Sequence, residues 1–316
     1  MSIEAVAASA IAKEVTGSTA IEAAAQLADK MGVNPANEIS NLQPEQMYMH
    51  DDVKVGELNA PECENADVYE AREKEAAEEL KNKLEDINPN YFDDNGNIYK
   101  DVDGNLLPNT EYEINGVKYQ TDENGRIISW DGKLQDTPEN GRDNDAQKEA
   151  GGSDRQEGDH GSHLVARMNG GAEGNENMVA MRGHINQSDY KRGENEENQM
   201  LKDGKEVNES GKVFYDGDSS RPSKIEKTYT DGDKTVKAAY DNELGSTKLL
   251  DNLENVISEE DLNSLKDEIS DMQADGNEVS VTSVSTEYNS EGEPTKTTVG
   301  VRNETSGEKE FKTYNH

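Results

Sequence analysis

At 316 residues, with 31% hydrophobic, 5% aromatic and 32% charged residues and a formal net charge of −36, the chain is too polar to fill one large core. It holds no run of about 20 apolar residues that could form a membrane-spanning helix, and its single cysteine, Cys63, excludes an intramolecular disulfide. The acidity argues at first against a nucleic-acid partner, because phosphate binding draws on Lys and Arg.

The Ala-rich start, Ala5 to Ala12, follows Glu4 and has no basic stretch before it, so it fits a helix and not a secretory signal. Ile11 to Met31 continues in the same composition until Gly32 and Pro35 stop it, and Asn34 to Gly56 is polar with Pro35 and Pro44. Residues 1–56 are therefore expected to be a helical leader, either a pair packing on itself or a docking segment for a partner or export machinery. Within residues 57–90, Asp67 to Ile87 predicts a charged helix ending at Asn88-Pro89. The dipeptides Asn95-Gly96, Asp103-Gly104, Asn115-Gly116, Asn124-Gly125 and Asp131-Gly132 then bracket short alternating runs, which predicts hairpins leading into a sheet. A calcium loop does not fit there, since Gly96 or Gly104 at its sixth position puts Tyr91 or Tyr99 where the first ligand belongs. Asp136 to Gly152 reads as a polar linker.

The stretch from Gly158 to Glu194 carries the chemistry. His163-Leu164-Val165-Ala166-Arg167 alternates like a short strand and meets the turn Asn169-Gly170-Gly171, and Asn177 to Met181 reads as the return strand. Asn186 to about Leu201 reads as a helix stopped near Asp203-Gly204, with Asn186, Tyr190 and Glu194 at i, i+4 and i+8 on one face. A histidine base, an oxygen ligand for a metal and a phosphate-binding arginine thus fall close together, the equipment of a metal-dependent phosphodiesterase. Beyond Asn242, Ser258 with Asp261 predicts a capped helix from Glu259 to about Gln273. Glu278 to Tyr288, Thr295 to Val301 and Glu310 to Tyr314 alternate as strands, with no visible chemistry of their own.

This order of motifs resembles the DNA/RNA non-specific endonuclease family, whose ββα-metal core carries a histidine in a D-x-G-G-H-L-type strand, an N-L-V-P strand and an N-x7-E helix. The resemblance extends upstream to Pro108-Asn109, Tyr112, Asn115-Gly116, Tyr119, Thr121-Asp122 and Gly125-Arg126-Ile127. Downstream it takes in Tyr215, Arg221-Pro222 and the strands between Tyr229 and Tyr240, covering about 105 to 242. It implies an α+β fold in which the ββα-metal core sits on a mixed or antiparallel sheet. The expected division is a nuclease domain over 91–245 and a small α+β extension over 246–316. It further implies that His163 takes a proton from the attacking water, Asn186 is the one direct protein ligand of Mg²⁺ or Mn²⁺, Glu194 holds a metal-bound water, Asn177 positions the site and Arg167 clamps the phosphate. The reaction implied is hydrolysis of DNA, with RNA as a second substrate, leaving 5′-phosphates. Bacterial toxins and secreted effectors are similar in plan, so an immunity protein and an export route without a cleavable signal are the implied partners. A cytoplasmic protein is the alternative location, and no membrane partner is implied.

Three departures from the family pattern stand out: Ser162 in place of glycine before the base, Ala180 in place of proline, and Gly161 where some members have an arginine, with His160 one step earlier. A zinc site from His160, His163 and His184 is the competing metal reading, but it lacks cysteines and paired spacing. The charge objection softens on inspection, because residues 151–242 hold 13 Lys and Arg against 18 Asp and Glu, so only −5 of the −36 falls there. The rival from another class is a binding protein, either an inactive relative or an acidic mimic of nucleic acid.

Overall fold

The computed structural model describes residues 89–101, 103–137 and 143–316. The expected leader over 1–56 and the charged helix of 57–90 lie outside the described residues, apart from the last two positions, which enter a 3-10 turn, Pro89–Tyr91. The chain divides into two units after Thr110. The described part of the first unit is built from two tight turns, closed by bridges between Phe92 and Ile98 and between Lys100 and Leu106. Asp93 Oδ1 accepts from the backbone N–H of Asn95 and Asn97, and Asp101 Oδ1 does the same for Asp103 and Asn105. Both turns then place a glycine, Gly96 and Gly104, at positive φ.

The second unit is a nine-stranded sheet in which every pairing is antiparallel. Its strands are β1 (Glu111–Ile114), β2 (Val117–Thr121) and β3 (Ile127–Lys133), then β6 (Asn208–Tyr215), β7 (Pro222–Thr230) and β8 (Thr235–Asp241), and finally β9 (Val279–Tyr288), β10 (Pro294–Asn303) and β11 (Lys309–Asn315). Between β3 and β6 the chain leaves the sheet to make helix α1 (Asn144–Glu149), a separate hairpin of β4 (Asp159–His163) and β5 (Met178–Arg182), a π-helical turn (Ile185–Tyr190) and helix α2 (Lys191–Lys202). Helix α3 (Glu259–Ala274) precedes β9 and is capped as the sequence predicts, with Ser258 Oγ accepting from the N–H of Asp261 at 3.0 Å.

One face of the sheet is set by period-two alternation. Val117, Tyr119 and Thr121 of β2 are buried while Lys118 and Gln120 are exposed, and Ile225, Lys227 and Tyr229 of β7 repeat the pattern. The resulting layer carries Trp130, Tyr112, Tyr119 and Tyr229, each under 3% exposed. A second, aliphatic cluster lies toward the C-terminus, where Leu262, Leu265 and Ile269 of α3 join Leu249, Leu253, Val281, Val284, Val299 and Val301.

Several expectations are corrected. Asp131-Gly132 is no turn but the interior of β3, where a Cβ on Gly132 would lie 2.7 Å from Val117 Cα on the neighbouring strand. Asp136 to Gly152 is not only linker: Asp143 caps α1 by accepting from the N–H groups of Asp145 and Ala146. The strand expected to begin at His163 instead ends there, and Leu164 to Ala166 enter a tight connection. The return strand expected over Asn177 to Met181 is β5, shifted by one residue, with Ala180 fully buried at its centre. Finally, β9 pairs directly with β8, so the expected boundary at 245/246 falls inside one continuous sheet.

Candidate active site

The β4–β5 hairpin is stitched to the main sheet by polar bonds. Asp159 accepts two bonds from Arg221, just before β7, Nε to Oδ2 at 2.7 Å and Nη2 to Oδ1 at 3.2 Å, with both side chains 3% exposed or less. Asn242, just after β8, receives the Arg182 N–H and donates to the carbonyls of Ala180 and Pro222. Such a fully paired buried network fixes orientation as well as position.

At the end of β4, His163 Nε2 stands 3.3 Å from the Glu173 carbonyl. A carbonyl can only accept, so this contact puts a proton on Nε2. The loop behind the histidine is held by Asn177, which is completely buried. Its Oδ1 accepts from the Val165 N–H and the Tyr119 hydroxyl, and its Nδ2 donates to the carbonyls of Val165 and Ala172. Asn177 therefore supports the cavity from beneath and does not line it.

The helix side of the site opens on the π-helical turn. Its i→i+5 bonding places Asn186 with Lys191, not with Tyr190, on the cavity wall. Tyr190 turns inward instead, fully buried, and donates to the Leu164 carbonyl at 2.6 Å, which ties the helix to the residue after His163. The face-sharing expected of Asn186, Tyr190 and Glu194 thus holds for the first and third residues only. Ser162 Oγ donates to Asn186 Oδ1 at 2.9 Å, so the serine that replaces glycine bridges the two halves of the site. Glu194, 8% exposed, pairs with Lys191 Nζ at 3.0 Å.

Helix α2 is seated on the sheet by a buried ion cluster. Lys227 Nζ lies 2.7 Å from Glu197 and 3.3 Å from Glu209, all three side chains having no exposure. Glu209 also accepts from Trp130 Nε1, and Glu197 from Asn169 Nδ2. Burial, then repulsion from Glu209, pushes the Glu197 carboxyl well above the usual range. Burial alone would pull the Lys227 ammonium down, but Glu197 and Glu209 outweigh it and hold it high.

His163, Arg167, Asn186 and Glu194 line one open cavity of about 730 Å³. The sequence reading missed the rest of its polar lining: Asn144, Gln147 and Lys148 of α1, together with Arg155, Gln187 and Lys191. Arg155 donates to the backbone carbonyls of Gln147, Ala150 and Asp159. Its charge thus meets dipoles in these bonds. Lys148, Arg155, Arg167 and Lys191 face the cavity against one carboxylate, Glu194, so its lining is cationic in a chain of charge −36. His184, by contrast, lies outside this lining, and burial, then the charges of Arg182, Lys309 and Arg302, holds its imidazole down at about 3.

The oxygen donors present, the Asn186 amide and the Glu194 carboxylate, suit a hard cation that keeps most of its water. A carbonyl oxygen has two lone pairs, so Asn186 Oδ1 can hold the Ser162 bond and an ion together. Among the described residues no group of three or more His, Cys, Asp or Glu could hold a metal, which removes the zinc reading.

A model of the DNA/RNA non-specific endonuclease family matches residues 108–233, a segment that contains His163, Arg167, Asn177, Asn186 and Glu194. The type VII secretion system protein EssD of Staphylococcus aureus, in strains USA300 and NCTC 8325 / PS 47, is 35% identical over 140 residues. That stretch is 42% of this chain and 23% of the relative, so the match spans less than a quarter of these curated relatives.

Proposed function

We propose, from the match of residues 108–233 to the DNA/RNA non-specific endonuclease family, that this protein is a divalent-metal-dependent endonuclease that hydrolyses DNA, and RNA as a second substrate, with little sequence preference. The observation that carries the reading is the cationic cavity in an otherwise acidic chain, with an imidazole, an amide oxygen and a carboxylate converging on it. His163 is the general base: with Nε2–H engaged by the Glu173 carbonyl, Nδ1 takes the proton of the attacking water. Arg167 holds a phosphate oxygen, and Arg155 offers a second guanidinium on the same wall, standing in for the arginine that Gly161 lacks. Asn186 would hold Mg²⁺ or Mn²⁺ directly and Glu194 would orient one of its waters, while Asn177 keeps the His163 loop in register. When bound, the ion supplies Lewis-acid stabilisation of charge on the phosphate and the leaving oxygen.

The resemblance to a type VII secretion system protein supports export by a specialised secretion system; the reading of the chain as a toxin or effector, with an immunity protein as its natural inhibitor, completes the proposal. The test is incubation of the full chain with supercoiled plasmid or structured RNA in Mg²⁺, Mn²⁺ or EDTA, beside His163→Ala and Asn186→Ala. Cleavage is expected only with metal, and each substitution is expected to reduce it about 10²–10⁴-fold. Metal-independent cleavage, or cleavage that survives His163→Ala, would falsify the assignment. A folded wild type that cuts nothing but captures a basic protein would favour the acidic-mimic reading that the chain's charge suggests.

A further inference from the structure

The turn that carries Asn186 is anchored on the side away from His163. Three residues on, Asp189 is 1% exposed and its carboxylate is plugged into the sheet. Its Oδ1 accepts from Thr282 Oγ1 at 3.0 Å and Ser283 Oγ at 2.6 Å, while Oδ2 accepts from Ser188 Oγ and meets the Lys309 ammonium. A buried carboxylate is tolerated only when so paired.

Two features of the sheet make room for it. Thr282 and Ser283 are consecutive, and in a regular strand they would point to opposite faces. The pairing steps from Gly300↔Ser283 to Val301↔Val281, so Thr282 is the extra residue of a β-bulge, and both hydroxyls reach the same oxygen. Opposite them, a Cβ on Gly300 would lie 2.6 Å from Asp189 Oδ1, 2.7 Å from Ser283 Oγ and 2.8 Å from Thr282 Oγ1. Only glycine leaves space for the carboxylate. Thr282, Ser283, Gly300 and Lys309 come from three strands, and all lie beyond the family-matched segment.

We propose that β9, β10 and β11 are part of the active site's construction: their socket for Asp189 fixes the π-helical turn and so sets the position of Asn186. Asp189, Ser283 and Gly300 are positioning residues. The proposal rests on the reading of Asn186 as the metal ligand.

The experiment titrates full-length wild type, Ser283→Ala and Gly300→Ala with Mn²⁺, followed by electron paramagnetic resonance without nucleic acid, beside plasmid cleavage and thermal melting. About tenfold weaker Mn²⁺ binding and a similar fall in kcat are expected in both variants, with KM for plasmid unchanged. A role in folding alone would lower the melting temperature and leave Mn²⁺ affinity as in wild type, which overturns the proposal. If Gly300→Ala fails to fold, Ser283→Ala decides, because it removes one hydroxyl and adds no bulk. A wild type that neither binds Mn²⁺ nor cleaves overturns the endonuclease reading and this proposal with it, whereas an active wild type matched by its variants overturns this proposal alone.

Discussion

The segment between β3 and β6 and the segment after β8 are built on opposite principles. The first is held by buried polar groups: Asp159 with Arg221, Asn177 under the His163 loop, Asn242 across the hairpin, and Lys227 between Glu197 and Glu209. The second rests mainly on aliphatic packing of α3 against β9 and β10, and its one polar device that reaches the cavity is the socket for Asp189. Apolar packing is non-directional and stabilises in proportion to the area removed from water. Hydrogen-bonded ion clusters contribute less net free energy for their desolvation cost, but they specify angles. A cavity in which an imidazole, an amide and a guanidinium have to converge needs the second kind of support, and it stands on the segment that has it.

The sharpest way to break this contrast is Lys227→Met. Removing the cation strands two carboxyls in the interior and is expected to cost about 3–5 kcal/mol, read as a fall in melting temperature on the order of 10 °C. Cleavage should fall as well, because Glu197 and Glu194 share a helix. Leu265→Ala in the aliphatic cluster should cost about 3 kcal/mol while the cleavage rate of the folded protein stays within about twofold of wild type. A large loss of kcat there would erase the distinction between the two regions. Arg155→Gln should weaken plasmid binding in EDTA by about tenfold and lower the salt dependence by about one unit of slope, with a fall in melting temperature as its bonds to the Gln147, Ala150 and Asp159 carbonyls are lost. An unaltered salt slope would exclude Arg155 from the phosphate contact.

A further effect is pH-dependent and grows only as the solution is acidified. His184 takes up a proton near 6.5 when unfolded but only near 3 in the folded protein. Below about 6.5 the unfolded chain therefore binds more protons, so stability drops as pH falls from 6.5 toward 3, and above 6.5 His184 adds no slope. His184→Asn should flatten that part of a plot of melting temperature against pH, and an unchanged curve would refute the assignment.

Much of this was legible in the sequence because the signals are local. Asn115-Gly116 and Asn124-Gly125 are short-range turns, and Ser258 with Asp261 is a cap confined to one helical turn, so each predicts its own element. Asp143 was an equally local signal for α1, masked by the polar run around it. The strand ending at His163 misled because Leu164, Val165 and Ala166 have the stronger strand composition, whereas Asp159 to His163 are held in a strand by pairing with β5. A π-helical turn leaves no periodic mark over six residues, so the exchange of Lys191 for Tyr190 on the cavity wall was out of reach. The partners of Lys227 and Asp189 were invisible for a different reason. They are distant in the chain and meet only once the sheet exists.

The order of the sheet has a consequence for how the molecule assembles. Apart from β3 with β6, each strand pairs with the strand before or after it in sequence. Most of the sheet can therefore zip up by closing short loops; of the two long closures, 242–278 brings in α3, and the longer one loops out residues 134–207, the stretch that carries the cavity. The entropy of closing a loop rises only with the logarithm of its length, so this excursion adds little to the equilibrium cost. It acts on the rate instead, since contacts far apart in sequence form slowly. The cavity-bearing excursion, the longest in the sheet, is thus expected to be among the last parts of the chain to be gathered in.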